Sequence, residues 1–342
     1  MVTRIFGCHN SSIVHHEYMK KFYIDFFKYI DENDIKKIIQ LGDLFDVRKH
    51  MNTWSVNFFR EVFIKPILDR NLEVWVLLGN HDIYYRESLE VSSVEEVLTP
   101  YDKWFHIVKE PTDLIIEDHS FLVVPWVCKE NVDAVEKAIK NSKSTYCVGH
   151  FEFDGFELFK GQFAKGHYKH GQYSKFKKVI SGHYHVMSTR DNVLYTGTPY
   201  ELSWNDSENT KGFFVLTESE DLKFVENVHR LYVKIALNKD SILNVEDVEN
   251  KFLKISMVGA WEPKEKEAAI DRVYKMRPND VKILDTISVI EETEVDTSKY
   301  QTYLGVDSMI TDYVSNISVS ESIEKDKLTN LLLNIFNEAS HI

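Results

Sequence analysis

The stretch Leu77-Leu78-Gly79-Asn80-His81-Asp82 decides the fold of this chain. It continues an apolar run, Val74-Trp75-Val76, whose composition is typical of a buried strand. The run stops at a glycine and is followed at once by an amide, an imidazole and a carboxylate. Open α/β sheets place their ligands at the carboxyl ends of strands in this way. The stretch therefore predicts a sheet strand that delivers polar groups to a ligand site.

The same pattern of an apolar run, a glycine and polar residues occurs three more times. The three stretches are Lys37-Ile38-Ile39-Gln40-Leu41-Gly42-Asp43, Tyr146-Cys147-Val148-Gly149-His150 and Lys178-Val179-Ile180-Ser181-Gly182-His183-Tyr184-His185. Because ligands collect at one edge of a parallel sheet, we expect the polar residues of all four stretches to meet there.

The order of the predicted elements indicates an α/β fold. Helical periodicity over residues 17–31 and 54–68 alternates with the first strands, which gives the rhythm of a layered α/β domain. The composition changes near residue 230, where strands and a helix form a small α+β unit, and an acidic linker with two helices follows. We therefore divide the chain into residues 1–229, 230–290 and 291–342.

Composition limits the class of protein. The chain has 342 residues, 43% of them hydrophobic, without a run of eighteen apolar residues or a signal-peptide pattern at its start. Its three scattered cysteines suit a reducing compartment, so we expect a cytoplasmic protein with no membrane partner. The net charge of −13 argues against a uniformly basic surface, but a metal site and one basic loop can still attract nucleic acid.

The donor set indicates a metal site. Asp, Asn and His without cysteine suit manganese, zinc or iron. A carboxylate such as Asp43 can bridge two ions roughly 3.5–4 Å apart, the spacing that assists in-line displacement at phosphorus. Asn80, His150 and His183 would complete one ion, and His185 would serve the other. Since the two histidines of the last motif alternate along an extended segment, we expect a bend at the preceding glycine.

As a set, these motifs resemble the calcineurin-like metallophosphoesterases, specifically their DNA-repair branch. That branch comprises the SbcD-type double-strand-break nucleases and the recombination endonuclease subunit of T-even phages. Flanking residues add to the resemblance: Val47-Arg48-Lys49, Phe151-Glu152-Phe153-Asp154-Gly155-Phe156 and Tyr195-Thr196-Gly197-Thr198-Pro199. The resemblance covers residues 1–228 through motifs and the remainder through layout.

The resemblance implies a fold and a mechanism. The fold would be a layered αββα sandwich with a small α+β capping domain and C-terminal helices. A two-metal mechanism with Mn²⁺, or Mg²⁺ as the alternative ion, would hydrolyse DNA phosphodiesters. His81 and Asp43 would be catalytic, with His81 stabilising charge or protonating the leaving oxygen. The implied metal ligands are His9, Asp43, Asn80, His150, His183 and His185.

One motif departs from the family pattern. The family has Asp-x-His at the end of the first strand, whereas this chain has Gly7-Cys8-His9. If His9 is the anchor, Gly7 stands where the aspartate belongs, and a shift by one residue places Cys8 and Asn10 at the two positions. Neither register restores the carboxylate. A replacement ligand could come from water, Cys8 or His15 and His16, although we expect these two histidines and His50 to be solvated loop residues.

Other residues are candidates for contacts with partners. The basic segment 160–178 either tracks phosphates and stacks bases or is a solvated loop. The candidate DNA-binding residues are Arg48, Lys49, Lys165, Lys169 and Lys175. By resemblance, the protein partner would be a coiled-coil ATPase of the ABC type, and the chain would form a homodimer through helices near Trp54 and Ser92.

The last predicted helix carries one apolar face. Its members recur at three- and four-residue spacing, and they are Leu328, Leu331, Leu332, Ile335 and Phe336. This face either packs back on the small domain or docks in trans onto the ATPase coiled coil.

The prediction that follows is a metal-dependent DNA endo- or exonuclease subunit of a recombination and repair complex. The first alternative is a catalytically weakened scaffold that binds DNA and the ATPase, and the number of bound metal ions would distinguish the two. The second alternative is a phosphoesterase for small molecules or phosphoproteins, which a comparison of DNA with a small phosphodiester would test.

Overall fold

The computed structural model describes residues 2–3, 12–159, 162–166, 168–284, 314 and 325–340. The chain divides into two compact units, Met1–Asp285 and Thr286–Ile342. Gly7, Cys8 and His9 lie outside the described residues, so the structure does not test the predictions for the first motif. Among the described helices, none is long and apolar enough to cross a membrane.

The first sheet contains six strands in the order β14-β13-β1-β2-β3-β4. These are β1 (Val2–Thr3), β2 (Lys37–Gln40), β3 (Glu73–Leu77), β4 (Phe105–Val108), β13 (Gly212–Leu216) and β14 (Leu222–Glu226). The strands β1 to β4 pair in parallel, whereas β13 pairs antiparallel with both of its neighbours. The carboxyl ends of β2 and β3 therefore meet at one edge.

The second sheet also contains six strands, in the order β11-β12-β10-β7-β6-β5. These are β5 (Thr112–Ile116), β6 (His119–Val124), β7 (Tyr146–Gly149), β10 (Lys178–Ser181), β11 (Ser188–Arg190) and β12 (Val193–Tyr195). Its four central strands are parallel, so β7 and β10 also end side by side.

The two sheets and the helices form layers. The helices of this part are α1 (Ile13–Glu32), α2 (Thr53–Phe59), α3 (Lys65–Asp69), α4 (Ser93–Leu98) and α5 (Val132–Asn141), with the π-helical turn Arg60–Ile64 joining α2 to α3. Alternate strand residues face opposite layers, because the side-chain period of a strand is two. Ile38 packs against the helices, while Ile39 joins the core between the sheets; Cys147 and Val148 divide in the same way in the second sheet.

A three-stranded parallel sheet follows, with its own small core. Its strands are β15 (Tyr232–Leu237), β16 (Phe252–Met257) and β17 (Asp280–Leu284), and the helix α6 (Pro263–Lys275) lies between β16 and β17 in the chain. This is the predicted α+β unit, although it belongs to the same compact unit as the two large sheets. The predicted boundaries near residues 229 and 290 stay a prediction. A short hairpin, β8 (Glu157–Phe159) and β9 (Gln162–Phe163), comes earlier in the chain than this unit. The helix α7 (Lys325–Ser340) lies in the second compact unit.

The prediction that His15 and His16 are solvated was wrong. They are 5% and 2% exposed, because α1 begins at Ile13, earlier than the sequence pattern indicated, and places both on its buried face. The Nε2 atom of His15 is 2.7 Å from the hydroxyl of Tyr232. His16 stacks on Trp54, at 4.2 Å between ring centroids. His50 is exposed, as expected.

A buried carboxylate joins the third sheet to the rest of its unit. Glu201 is 0% exposed, and its Oε2 accepts hydrogen bonds from the backbone N–H groups of Leu231, at 2.6 Å, and Tyr232, at 2.9 Å. Burial raises the pKa of Glu201. The carboxylate therefore fixes the backbone at the point where β15 begins.

We predict that Glu201→Ala lowers the free energy of unfolding by about 3 kcal/mol, because hydrogen bonds to charged groups contribute roughly 1.5–3 kcal/mol each. Glu201→Gln should lower the free energy of unfolding much less, since an amide oxygen can accept the same N–H groups. Glu226→Ala is the matched control, because Glu226 is 52% exposed in its pair with Arg230 and should contribute about 0–1 kcal/mol. Urea denaturation of the three variants measures this, and equal losses for Glu201→Ala and Glu226→Ala would contradict it.

Candidate metal centre

The site lies where strands of both sheets end. Asp43 follows β2, and the Gly79–Asp82 turn follows β3 in the first sheet. His150 follows β7, and His183 follows β10 in the second sheet. The prediction that these residues meet at one edge of one sheet was wrong, because the four strand ends belong to two sheets. The four residues nevertheless lie together where those ends meet.

Four side chains converge within hydrogen-bond distance. The Nε2 atom of His150 is 3.2 Å from Asp43 Oδ2 and 3.1 Å from Asn80 Oδ1. The Nδ1 atom of His183 is 3.1 Å from Asn80 Oδ1 and 3.2 Å from His150 Nε2. Asp43 and His150 are buried, at 1% and 0% exposure, whereas His183 is only partly buried.

The hydrogen-bond partners of the His150 ring suit this cluster to a cation. Its Nδ1 atom is 2.7 Å from the carbonyl oxygen of Leu41, which can only accept, so Nδ1 carries the hydrogen. In the neutral ring, Nε2 then directs a lone pair at two oxygen acceptors, and a positive ion among them removes the repulsion. Ligands held about 2.1 Å from one ion lie roughly 3–3.5 Å apart, as these atoms do. Among the described residues, Asp43, His150 and His183 place ligand atoms within 4.8 Å of one another.

Backbone strain brings the donors inward. Asp43 has φ of 54° and His183 has φ of 78°, a region that costs non-glycine residues about 1–2 kcal/mol. The bend that we expected at Gly182 is therefore made at His183. Gly182 is needed for a different reason, because a Cβ there would lie 2.3 Å from the carbonyl oxygen of Leu41.

The turn after β3 fits closely against Asp43. A Cβ on Gly79 would lie 2.2 Å from the backbone nitrogen of Asp43, so only glycine allows this approach. Asp82 is 0% exposed and ties the two turns together, accepting from the N–H groups of Phe45, at 3.0 Å, and Gly79, at 2.8 Å. Burial, together with the charge of Asp43, raises the pKa of Asp82 to about 8.

His81 is held beside the cluster by both its backbone and its ring. Its N–H donates to Asp43 Oδ1 at 2.8 Å. Its Nδ1 is 2.6 Å from the carbonyl oxygen of Asp46, so Nδ1 carries a hydrogen and Nε2 is the nitrogen that exchanges a proton. The hydrogen bond of Nδ1 therefore fixes the orientation of the ring, and Nε2 can take part in acid–base chemistry.

His185 stands apart from the four converging donors. Its Nδ1 is 3.9 Å from Asp206 Oδ1, and the residue does not join the metal-competent group of the described residues. The prediction that it ligates a second ion, with His9, stays a prediction because His9 is not among the described residues.

Sequence reasoning missed a buried ion pair under the His185 loop. Lys211 and Asp206 both have fully buried side chains, and Lys211 Nζ is 2.7 Å from Asp206 Oδ1. The same ammonium donates to the carbonyl of His185 at 3.0 Å and to Thr198 Oγ1 at 2.7 Å. Although burial opposes it, the charge of Lys211 holds the pKa of Asp206 below its ordinary value. Nothing in the polar stretch 203–211 signals that Lys211 is buried.

The predicted DNA-binding residues lie in four different settings. Arg48 lines a cavity that also includes Asn80 and His183. The ammonium of Lys49 lies over the ring of Tyr84, 5.4 Å from its centroid. Lys165 and Lys169 are exposed, whereas Lys175 donates to the carbonyls of Lys140 and Ser142 at the end of α5. Their role in binding DNA stays a prediction.

We predict that Lys211→Met lowers the free energy of unfolding by about 3–5 kcal/mol, because it leaves the Asp206 carboxylate buried without its cation. Lys234→Met is the matched control, since the Lys234–Glu208 pair is nearly half exposed and should contribute about 0–1 kcal/mol. Chemical denaturation of both variants measures the difference. Similar losses would mean that the buried pair does not secure the His185 loop.

No protein-family model matches the chain. The chain is, however, 27% identical over 316 residues to Exonuclease subunit 1 of Enterobacteria phage T4. The alignment covers 92% of this chain and 90% of that protein. Over nearly its whole length, therefore, the chain is similar to a phage exonuclease subunit.

Proposed function

We propose that this protein is a metal-dependent nuclease that hydrolyses DNA phosphodiesters as a subunit of a recombination and repair complex. The observation that carries the proposal is the convergence of Asp43, Asn80, His150 and His183, in which His150 Nε2 lies 3.2 Å from Asp43 Oδ2 and 3.1 Å from Asn80 Oδ1. The similarity to a phage protein named as an exonuclease subunit supports the choice of DNA as substrate.

Manganese is the ion that we propose, because the resemblance implies it and the mixed oxygen and nitrogen donors are compatible with it. Two imidazoles favour Mn²⁺ over Mg²⁺, which prefers oxygen ligands, while the carboxylate and amide suit either ion. Asp43, Asn80, His150 and His183 would hold one ion, and Asp43, His185 and His9 would hold the second. Such a pair supplies charge that stabilises the phosphate oxygens during in-line displacement.

Asp43 and His81 have different proposed roles, because Asp43 positions the site and His81 takes part in the chemistry. Asp43 uses its Oδ1 to accept the N–H of His81 and directs its Oδ2 toward His150. The carboxylate thus sets the position of the metal ligands and of His81 together. With its Nδ1 hydrogen committed to Asp46, His81 can use Nε2 to stabilise charge on the phosphate or protonate the leaving oxygen.

We predict that Asp43→Asn abolishes hydrolysis of linear DNA in Mn²⁺ and weakens Mn²⁺ binding in calorimetry, because the variant loses the carboxylate charge. His81→Ala should lower kcat by about 10²-fold or more, the usual contribution of general acid–base catalysis, while Mn²⁺ affinity is retained. His119→Ala, outside the site, serves as the control. Loss of Mn²⁺ affinity in His81→Ala would contradict the assigned role.

The scaffold function is the second candidate, and Gly7 in place of the family aspartate favours it. A scaffold would bind one Mn²⁺ or none per chain and would not cut DNA at any Mn²⁺ concentration. A nuclease would bind two ions and would turn over. Elemental analysis of the purified protein, combined with a DNA cleavage assay, separates these functions.

We further propose that the chain forms a homodimer and binds a coiled-coil ATPase of the ABC type. For the homodimer, support comes from exposed apolar side chains near the two residues that the resemblance implies, because Trp54 is 42% exposed and Val91, next to Ser92, is 40% exposed. For the ATPase contact, the proposal uses the helix Lys325–Ser340, in which Leu331 is 55% exposed. The side chains of Ile335 and Phe336 lie outside the part of the chain that the structure describes.

We predict that Leu332→Ala/Phe336→Ala weakens binding to the ATPase subunit by orders of magnitude, because burying each side chain contributes roughly 1.5–3 kcal/mol. The melting temperature should not change. Asn330→Ala, on the same helix, is the control. If binding persists while the melting temperature falls, the helix packs on this chain and does not dock onto the ATPase.

A further inference from the structure

The sheet of β15, β16 and β17 has one covered face and one open face. Ile255 and Val273 belong to the small core between this sheet and α6, and alternate strand residues point the opposite way because the side-chain period of a strand is two. On that opposite face, Ala236 and Lys282 are exposed, and Leu284 is 39% exposed. Parallel sheets normally have protein layers over both faces. The part of the chain that the structure describes therefore supplies a complete layer on one face only.

Three lysines form a row across the open face. Lys234 lies opposite Lys254 in the strand register, and Lys254 lies opposite Lys282. Like charges directly opposite one another on neighbouring strands are destabilising, so the stability of the sheet does not account for this row. Because neighbouring strands are about 4.8 Å apart, the outer two lysines begin about 10 Å apart. That separation is close to the width of an α-helix with its side chains, about 10–12 Å.

The middle of the open face is shallow. The ammonium of Lys254 lies over the ring of Trp204, 4.2 Å from its centroid. In the next row, Ala236 lies opposite Ser256, and Ser256 lies opposite Leu284. Two of these three side chains are small and the third is apolar, so the row leaves room for another element to approach the strands closely. The outer lysines border this shallow strip on both sides.

We propose that the open face binds an amphipathic helix of a partner protein, one whose apolar stripe is flanked on both sides by carboxylates. The helix lies along β16, with its apolar stripe on the row of Ala236, Ser256 and Leu284. Its flanking carboxylates pair with Lys234 and Lys282. The bound helix supplies the layer that the parallel sheet lacks. The proposal uses neither the candidate metal centre nor the helix α7, and it does not depend on the proposed function.

The composition of the face favours a protein over a nucleic acid as the occupant. Lys234 Nζ already has a carboxylate oxygen of Glu208 at 3.1 Å, and this side chain is 49% exposed. An exposed carboxylate beside the row repels a phosphate backbone, whereas a helix can replace it in the pair with Lys234. Leu284 gives the face an apolar contact, which a phosphate backbone does not use. Charge complementarity with the outer lysines then selects a helix with acidic flanks.

Fluorescence anisotropy of a labelled eighteen-residue peptide tests the flanking lysines. The peptide is an amphipathic helix with leucines on one face and glutamates on both flanks. In Lys234→Gln/Lys282→Gln, Kd should rise about tenfold, because two ion pairs at the edge of the contact are lost. The control is Lys264→Gln/Lys275→Gln, which removes the same charge from α6. Equal increases in Kd in the two double variants would overturn the proposal, because they would reflect net charge alone.

A substitution in the apolar row and a rearranged peptide test the rest of the contact. Leu284→Ser should raise Kd about fivefold or more, because it removes an apolar contact of the bound helix. Tyr274→Ser is the control, since Tyr274 is 53% exposed on α6. A peptide with the same residues in an order that gives no apolar face should bind at least tenfold more weakly. If both peptides bind equally, the lysines attract any anion and the proposal is wrong.

A duplex of twenty base pairs, bound in EDTA, tests the alternative occupant. The duplex should bind Lys234→Gln/Lys282→Gln as well as it binds the control double variant on α6. If the duplex distinguishes these variants and the amphipathic peptide does not, the lysine row contacts nucleic acid and the proposal is wrong. If the peptide does not bind the unsubstituted protein, the open face is no docking site for an acidic helix and the proposal also fails.

Discussion

The imidazole of His150 joins the two sheets of this protein. It follows β7 in the second sheet, yet its Nδ1–H donates to the carbonyl of Leu41 in the first sheet, and its Nε2 faces Asp43 and Asn80. The ring is 0% exposed, so both of its nitrogens must be satisfied without bulk water. One nitrogen is satisfied by the fold, and we propose that the other is satisfied by an ion that the carboxylate and the amide attract. The packing of the two sheets and the candidate metal centre would then depend on the same side chain.

The backbone around the site adopts conformations that are locally unfavourable. Asp43 and His183 both have positive φ, and Gly79 approaches Asp43 so closely that no Cβ fits. Strain of this kind persists only where the surrounding structure determines it. The buried Asp82 supplies that support beneath the first two turns, and the Lys211–Asp206 pair supplies it beneath the His185 loop. Both supports are polar groups with several hydrogen bonds, which position a loop more specifically than apolar contacts do.

The sequence predicted the parts of the site that follow from strand endings. Asp43, Asn80, His150 and His183 each come after an apolar run and a glycine or its neighbour, so the sequence places them at the carboxyl ends of parallel strands. Their convergence also needs the strand ends of two different sheets to lie together, which parallel pairing does not determine. The α/β class and most helices were predictable from periodicity for the same local reason. The burial of His15 and His16 was predicted wrongly, because the sequence indicates the first residue of a helix only weakly. The helix α1 begins before the first residue of the clear apolar pattern. Lys211 and Glu201 were missed because their burial depends on contacts between distant segments. An isolated charge in a polar stretch looks like a surface residue until the fold is known.

The proposed function requires that Asp43, Asn80, His150 and His183 together hold a divalent ion that serves phosphodiester hydrolysis. Diffraction from crystals of the protein soaked in Mn²⁺, measured at the manganese absorption edge, locates such an ion. An anomalous peak should lie within about 2.0–2.3 Å of Asp43 Oδ2, His150 Nε2 and His183 Nδ1. A structure with full Mn²⁺ occupancy elsewhere and no peak among these atoms would contradict it.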